Sequence, residues 1–340
     1  VGFVVSAERE IFDIVIVGAG PTGLFGVFYA GMRGMRTKVI EALPEVGGQL
    51  AALYPEKDIF DVAGFPRVGA KKLVELCKEQ ADQANPETTY VMGQRVESLE
   101  RLDDGTLQLI TQTGEHHYGK SVLITAGIGA FEPNRIPNET ARAYENKGVF
   151  YSVINRPQYA GKDVLIVGGG DSAVDYSLML EPIANAVTLI HRRDGFRAHE
   201  ESLRKLAESK VDVRTFYELR SIGGDGEWVN EAVIFDNRTG EETKLHVDYV
   251  VLGTGFKASL GNMLHWGLAI ENKKQIVTNS KGETNIAGVY AAGDVAWYPG
   301  KIRLIATGFG EAATAVNNAK AYIDPGSAAF PGHSSEQTHK

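Results

Sequence analysis

The stretch Gly18-Ala19-Gly20-Pro21-Thr22-Gly23 places glycines where a strand-to-helix turn needs them to hold a pyrophosphate. Gly18 permits the tight turn, Gly20 lets backbone approach the phosphates, and Gly23 allows helix and strand to pack closely. The positive end of the following helix then stabilises the phosphate charge. The fingerprint calls for an acid about 20 residues onward to accept ribose hydroxyls. Val39-Ile40-Glu41 supplies it. A second turn of the same kind, Gly168-Gly169-Gly170-Asp171-Ser172-Ala173, continues differently. The offset that leads from Gly18 to Glu41 leads from Gly168 to His191, followed by Arg192, Arg193 and, a turn onward, Arg197. A carboxylate repels a ribose 2′-phosphate, whereas guanidiniums form charge-assisted, often bidentate contacts with one. The first site thus reads as a cradle for a dinucleotide lacking that phosphate, and the second as one that prefers NADP to NAD. His191 reads as a structural histidine with no proton-transfer role.

Two dinucleotide cradles on one chain point to a flavin, FAD, beside a nicotinamide, NADPH. A flavin site must also hold the ribityl chain and the ring. Gly293-Asp294 ends a strand in the C-terminal third, where the carboxylate would accept ribityl hydroxyls. Gly308-Phe309-Gly310 reads as a helix start whose positive end would stabilise the anionic N1–C2=O edge of the reduced flavin. Gly47-Gly48-Gln49 follows Glu41 closely and would approach pyrophosphate and flavin.

The elements that must position these residues repeat. Ile14–Val17 and Val164–Val167 are four-residue apolar runs, each stopping at a glycine turn and followed by apolar residues at helical spacing. The helical residues are Leu24, Val27, Phe28 and Gly31 in the first unit, Val174 and Leu178 in the second. Each unit then carries alternating segments separated by turn signals. These are Asp103-Asp104-Gly105 and Thr113-Gly114 in the first, Gly223-Gly224-Asp225-Gly226 and Arg238-Thr239-Gly240 in the second. They lead to Ser121–Thr125 before Ala126-Gly127, and to Tyr249–Leu252 before Gly253-Thr254-Gly255. The expected fold class is α/β, with two Rossmann-like dinucleotide-binding domains, each having a parallel sheet and a three-stranded β-meander. A final strand at Val289 and a helix beginning near Gly308, with Ala312, Val316 and Ala319 as its buried stripe, return the chain to the first domain. The expected division is a discontinuous FAD-binding domain, 1–130 and 256–340, with an NADPH-binding domain, 131–255, inserted.

Composition agrees. A chain of 340 residues suggests two domains, and its 43% hydrophobic content suffices for two cores. Its 39 glycines exceed the usual share of about 7%, as turns against phosphate require. A net charge of −8 argues against nucleic acid and against adsorption to an anionic membrane. Cys77 is the single cysteine, so no intramolecular disulfide is possible, which fits a reducing compartment. No long apolar run is present, and a cytoplasmic protein without a metal is expected.

At this point the residues resemble a known family, the two-dinucleotide flavoprotein reductases, and within it the low-molecular-weight thioredoxin reductases. The likeness covers about residues 10–335 through four signatures in order: Gly18–Gly23, Gly168–Ala173, His191-Arg192-Arg193 and Gly293-Asp294. The thioredoxin reductases carry a Cys-x-x-Cys pair just before the second glycine motif. Here that stretch, Val149-Phe150-Tyr151-Ser152-Val153-Ile154-Asn155, has no cysteine. Bacillithiol-disulfide-reductase-like members place a cysteine where Thr22 stands. Cys77, in a helical-looking segment, reads as a buried inert thiol, so both disulfide-reductase readings lack their nucleophile.

What remains resembles the thioredoxin-reductase-like ferredoxin–NADP⁺ reductases. The runs Gly47–Lys57, Asp61–Pro66, His191–Glu200 and Pro331–Ser335 carry that likeness. It implies that Tyr54 stacks on one flavin face and that His333, in the tail of a partner subunit, covers the other. Neither is a general acid or base. It maps FAD contacts onto Glu41, Gln49, Tyr54, Val96, Phe131, Asp294 and Ser335. Gly18, Gly20, Thr22, Gly23, Gly48, Ala126, Gly127 and Thr307 complete the FAD set. The NADPH set is Gly168, Gly170, Asp171, Ser172, Ala173, His191, Arg192, Arg193 and Arg197. The implied activity is hydride transfer from NADPH to FAD, then single electrons to ferredoxin or flavodoxin, in a homodimer. An acidic ferredoxin needs a basic docking patch, for which Lys71-Lys72 and Arg33/Arg36/Lys38 are candidates. A flavin also permits an NAD(P)H oxidase or diaphorase using oxygen or quinones, or a non-catalytic flavin-binding electron-transfer subunit.

Overall fold

The computed structural model describes residues 9–328, 330 and 332. The chain divides into two compact units, Val1–Ala130 with Ala258–Lys340, and Phe131–Lys257.

The first unit is built on a seven-stranded sheet. Its strands run in the order Thr89–Val91, Thr37–Ile40, Ile11–Val17, His116–Ile124, Leu107–Thr111 and Val96–Arg101. Val289–Ala291 also pairs with His116–Ile124. Ile11–Val17 lies between parallel neighbours, and its Ile and Val side chains are buried almost continuously, as a strand covered on both faces requires. His116–Ile124 changes partner along its length. Residues from His116 to Gly119 pair antiparallel with Leu107–Thr111, while Val122 to Ile124 pair parallel with Val289–Ala291. The meander is therefore continuous with the parallel sheet. Helices Pro21–Met32, Ala70–Ala84 and Ile305–Ile323 pack on this frame. The stripe of the last is Gly308, Ala312, Ala315, Val316 and Ala319. It starts at Ile305 rather than near Gly308, because Leu304 caps it and the Gly308 amide already bonds the Leu304 carbonyl. Small residues set the helix spacing: a Cβ at Gly31 would stand 2.3 Å from the Ala84 carbonyl oxygen.

The second unit has a parallel five-stranded sheet. Its order is Val149–Phe150, Tyr249–Leu252, Asp163–Val167, Ala186–His191 and Asp212–Thr215. Beside it, Tyr217–Gly224, Val229–Asp236 and Glu242–His246 form a separate antiparallel meander. The first of these strands runs through Gly223 and Gly224, so its turn begins two residues later than expected, at Asp225. In both units the chain leaves the strand that carries the glycine turn to one side and returns on the other. That reversal opens a crevice at the carboxyl ends of the strands, where α/β sheets bind ligands.

Candidate dinucleotide sites

In the first unit, Gly18 has φ +105°, and a Cβ there would lie 2.6 Å from the Thr125 carbonyl oxygen. A Cβ on Gly23 would lie 2.0 Å from the Gly18 carbonyl oxygen, so helix and strand meet backbone to backbone. Gly20 differs, because a Cβ there would meet nothing within 4 Å. Glycine at Gly20 keeps open a space that the protein itself does not fill, which fits a phosphate approaching the backbone. Pro21 opens the helix at the position where a missing amide costs nothing. The first intrahelical bond runs from the Leu24 amide to the Gly20 carbonyl, leaving the Thr22 and Gly23 amides toward the turn. Gly48, at φ +55° and ψ −133°, approaches Gly20 so closely that its Cβ would be 3.2 Å from the Gly20 Cα. Gly47 donates its amide to the Ala19 carbonyl. Gln49 opens the short helix Gln49–Ala52, and its Nε2 lies 3.3 Å from where a Gly127 Cβ would be.

Glu41 follows the second parallel strand and is 6% exposed. Its Oε2 accepts the Ala19 amide at 2.6 Å and its Oε1 the Leu43 amide at 2.8 Å. Burial pushes its carboxyl above the usual range, opposed by these backbone donors. The acid is thus pinned to the glycine turn itself, and each oxygen keeps a lone pair for a hydroxyl.

The end of the strand Val289–Ala291 brings Gly293-Asp294 to the same turn. Gly293 has φ +78°, and a Cβ there would stand 2.9 Å from Thr22 Oγ1. Gly308 also closes on Thr22, its missing Cβ 2.4 Å from Thr22 Oγ1 and 3.3 Å from the Gly293 Cα. The Asp294 carboxylate makes no hydrogen bond to another described residue, and burial raises its pKa. An acceptor held without a donor is chemically suited to polyol hydroxyls. Thr307 lies in the first turn of Ile305–Ile323, whose opening amides have no helical partner. Tyr54 is half-buried, with the Lys57 ammonium 5.7 Å from its ring centre. The Val96 side chain is in the core beside Ile40 and Leu260, so only its backbone is available to a ligand. Ala126 packs against the same core. Phe131 is on the strand Ala130–Pro133, but its side chain, like His333 and Ser335 altogether, lies outside the described residues.

The second cradle repeats this frame with other chemistry. A Cβ on Gly168 would lie 2.3 Å from the Gly253 carbonyl oxygen, and one on Gly170 would find nothing nearer than 3.9 Å. Ala173 is buried in the packed face of Asp171–Leu180, and Ser172 sits in its first turn. The Asp171 carboxylate accepts the His199 amide at 2.9 Å, so it anchors the segment that follows the arginines. Where Glu41 meets Ala19, the His191 ring lies flat over Gly169: a Cβ there would be 2.1 Å from the imidazole. The ring leans on Phe196 at 5.1 Å. Its pKa is lowered by burial first and then by Arg192, Arg193 and Arg197. The Arg197 amide bonds the Gly169 carbonyl at 2.7 Å, folding the arginine segment back onto the glycine turn. All three arginines are exposed, and no ion pair or side-chain hydrogen bond joins their guanidiniums to another described residue.

One expected surface dissolves. Arg33, Arg36 and Lys38 form no basic patch: Arg33 is buried and donates to Asn317 and the Ala328 carbonyl, and Arg36 is paired with Glu10. Lys38 is buried over the Phe12 ring. Lys72 is exposed but pairs with Glu75. Cys77 is buried among Leu73, Val74 and Ala81, and burial pushes its thiol to about 11. Among the described residues, no helix is long and apolar enough to cross a membrane.

Two nucleotide folds joined in one chain define a pyridine-nucleotide oxidoreductase architecture. The family model for pyridine nucleotide-disulphide oxidoreductases matches residues 12–319. A ferredoxin–NADP reductase of Symbiobacterium thermophilum is 77% identical over 335 residues, covering 98% of this chain and all of that protein. A ferredoxin–NADP reductase of Halalkalibacterium halodurans is 54% identical, covering 97% and 98%. The solved thioredoxin reductase of T. acidophilum matches with a TM-score of 0.74 at 25% identity, covering 94% of this chain and 99% of that one. The chain belongs to the thioredoxin-reductase-like ferredoxin–NADP reductases of the pyridine nucleotide-disulphide oxidoreductase family.

Proposed function

We infer that this chain carries electrons between NADPH and ferredoxin through FAD, with FAD in the first cradle and NADPH in the second. The observation that supports the assignment is the contrast between equivalent positions: a buried carboxylate on Ala19 against three guanidiniums near His191 that pair with no other described residue. When bound, FAD accepts two electrons with the hydride of NADPH and passes them on singly.

The chain's own work is positioning. Thr22 and Gly23 amides hold pyrophosphate, Glu41 the adenosine ribose and Asp294 the ribityl hydroxyls. The opening amides of Ile305–Ile323 would stabilise negative charge on a flavin bound in this cradle. Tyr54, with His333 from the partner of a homodimer, would limit access to the flavin faces. In the other unit, Asp171 and Ser172 amides hold the NADPH pyrophosphate, and Arg192, Arg193 and Arg197 the 2′-phosphate. No side chain transfers a proton, and the single buried thiol leaves no dithiol route.

The acceptor is tested by NADPH-driven cytochrome c reduction with and without added ferredoxin or flavodoxin. Dependence on the added carrier supports the reading. Rapid oxygen or quinone consumption without it indicates an oxidase or diaphorase instead.

A further inference from the structure

Behind the Gly293-Asp294 turn lies a buried ionic cluster that the dinucleotide fingerprint does not call for. Glu311 projects from the second turn of Ile305–Ile323, and its Oε2 accepts the Gly293 amide at 2.8 Å. Its Oε1 accepts the Tyr298 hydroxyl at 2.7 Å. The Lys301 ammonium bonds both Glu311 oxygens and donates to the Gly293 carbonyl at 3.0 Å. The two side chains are only 3% and 13% exposed. Gly293 is thus gripped through both its amide and its carbonyl while Thr22 blocks it from the front.

Burying two charges is costly, so such a pair is weak evidence for stability alone. Its geometry fixes one turn against one helix, and the next residue along that turn is Asp294. The Asp294 carboxylate lies within electrostatic reach of Lys301, Arg303 and Glu311 but bonds none of them. Glu311 keeps Lys301 occupied; without it, that ammonium would be left within electrostatic reach of the Asp294 carboxylate.

We propose that Glu311 and Lys301 are positioning residues that lock the Gly293-Asp294 turn and keep the Asp294 carboxylate free for the flavin's ribityl chain. This rests on the placement of FAD in the first cradle. The test measures FAD dissociation constants of deflavinated full-length protein by flavin fluorescence, alongside the KM for NADPH. Glu311→Gln and Lys301→Met should each weaken FAD binding about tenfold or more. Tyr298→Phe, which removes one hydrogen bond to Glu311, should weaken it about threefold. Lys301→Arg should restore most of the loss, and the KM for NADPH should stay within about twofold of wild type in all four. FAD binding unchanged in Tyr298→Phe and in whichever charge variants fold would overturn the proposal. So would an FAD loss matched by an equal rise in the KM for NADPH, the mark of general destabilisation. Wild-type protein that contains no FAD would instead remove the cofactor placement itself.

Discussion

Replacing Arg192 and Arg193 together by alanine isolates the feature that separates the two cradles. Both guanidiniums are exposed and unbound to other described residues, so their removal strands no internal partner and leaves the fold intact. A hydrogen bond to a charged group contributes about 1.5–3 kcal/mol, and exposure halves that, leaving about 0.75–1.5 kcal/mol for each arginine. The pair then supplies about 1.5–3 kcal/mol of preference for the 2′-phosphate, a factor of about 12–150. Steady-state kinetics with NADPH and NADH measures it directly. The variant should lose that factor in kcat/KM for NADPH, mostly through KM, and change less than about threefold with NADH. Raised ionic strength should weaken NADPH binding to the wild type more than to the variant. Equal losses with both nucleotides would refute the assignment of these arginines to the 2′-phosphate.

Gly169→Ala places a methyl about 2.1 Å from the His191 ring, and overpacking of this kind costs about 1–3 kcal/mol. Thermal unfolding should show that loss with a raised KM for NADPH, and adding His191→Ala should recover much of the stability. His117 is buried with Nε2 unpartnered among the described residues, and its pKa is lowered by burial first, then by Lys38 and His116, with Glu115 opposing. The unfolded chain therefore takes up this proton first, and stability present above about pH 6.5 falls as pH drops toward the lower folded value. Denaturant titrations at several pH values should show that slope reduced in His117→Phe. Cys77→Ala should leave NADPH-dependent turnover unchanged at a cost of about 1 kcal/mol, and native wild-type protein should resist alkylation. A turnover loss on alkylation without unfolding would show that the thiol is not inert.

Much of the frame was legible because glycine positions in a strand-to-helix turn are fixed by backbone contact. Gly18, Gly20 and Gly23 differ in what a Cβ would meet in the ways their spacing suggests. The offset to Glu41 was legible for the same reason, since strand length and helix length set it. The matching offset located His191 but not its purpose: only the folded chain shows the ring lying on Gly169, which makes glycine obligatory there. Arg33, Arg36 and Lys38 misled because nearness in sequence is not a shared surface. Lys38 lies in a buried strand, and Arg33 turns inward from the end of a helix. The helix Ile305–Ile323 starts before Gly308 because that glycine is not an opening but a gap within the helix that admits Thr22. The Lys301–Glu311 cluster left no periodic trace, since its members meet only when a loop folds back on a helix.

Anaerobic titration of the purified protein with NADPH, followed by extraction of its chromophore, asks whether the chain holds an FAD that NADPH reduces. The expected result is a yellow protein that releases FAD on denaturation. One equivalent of NADPH should bleach it, whereas NADH should bleach it only at far higher concentration. A colourless protein that takes up no FAD, or a flavin that NADPH leaves oxidised, would contradict it.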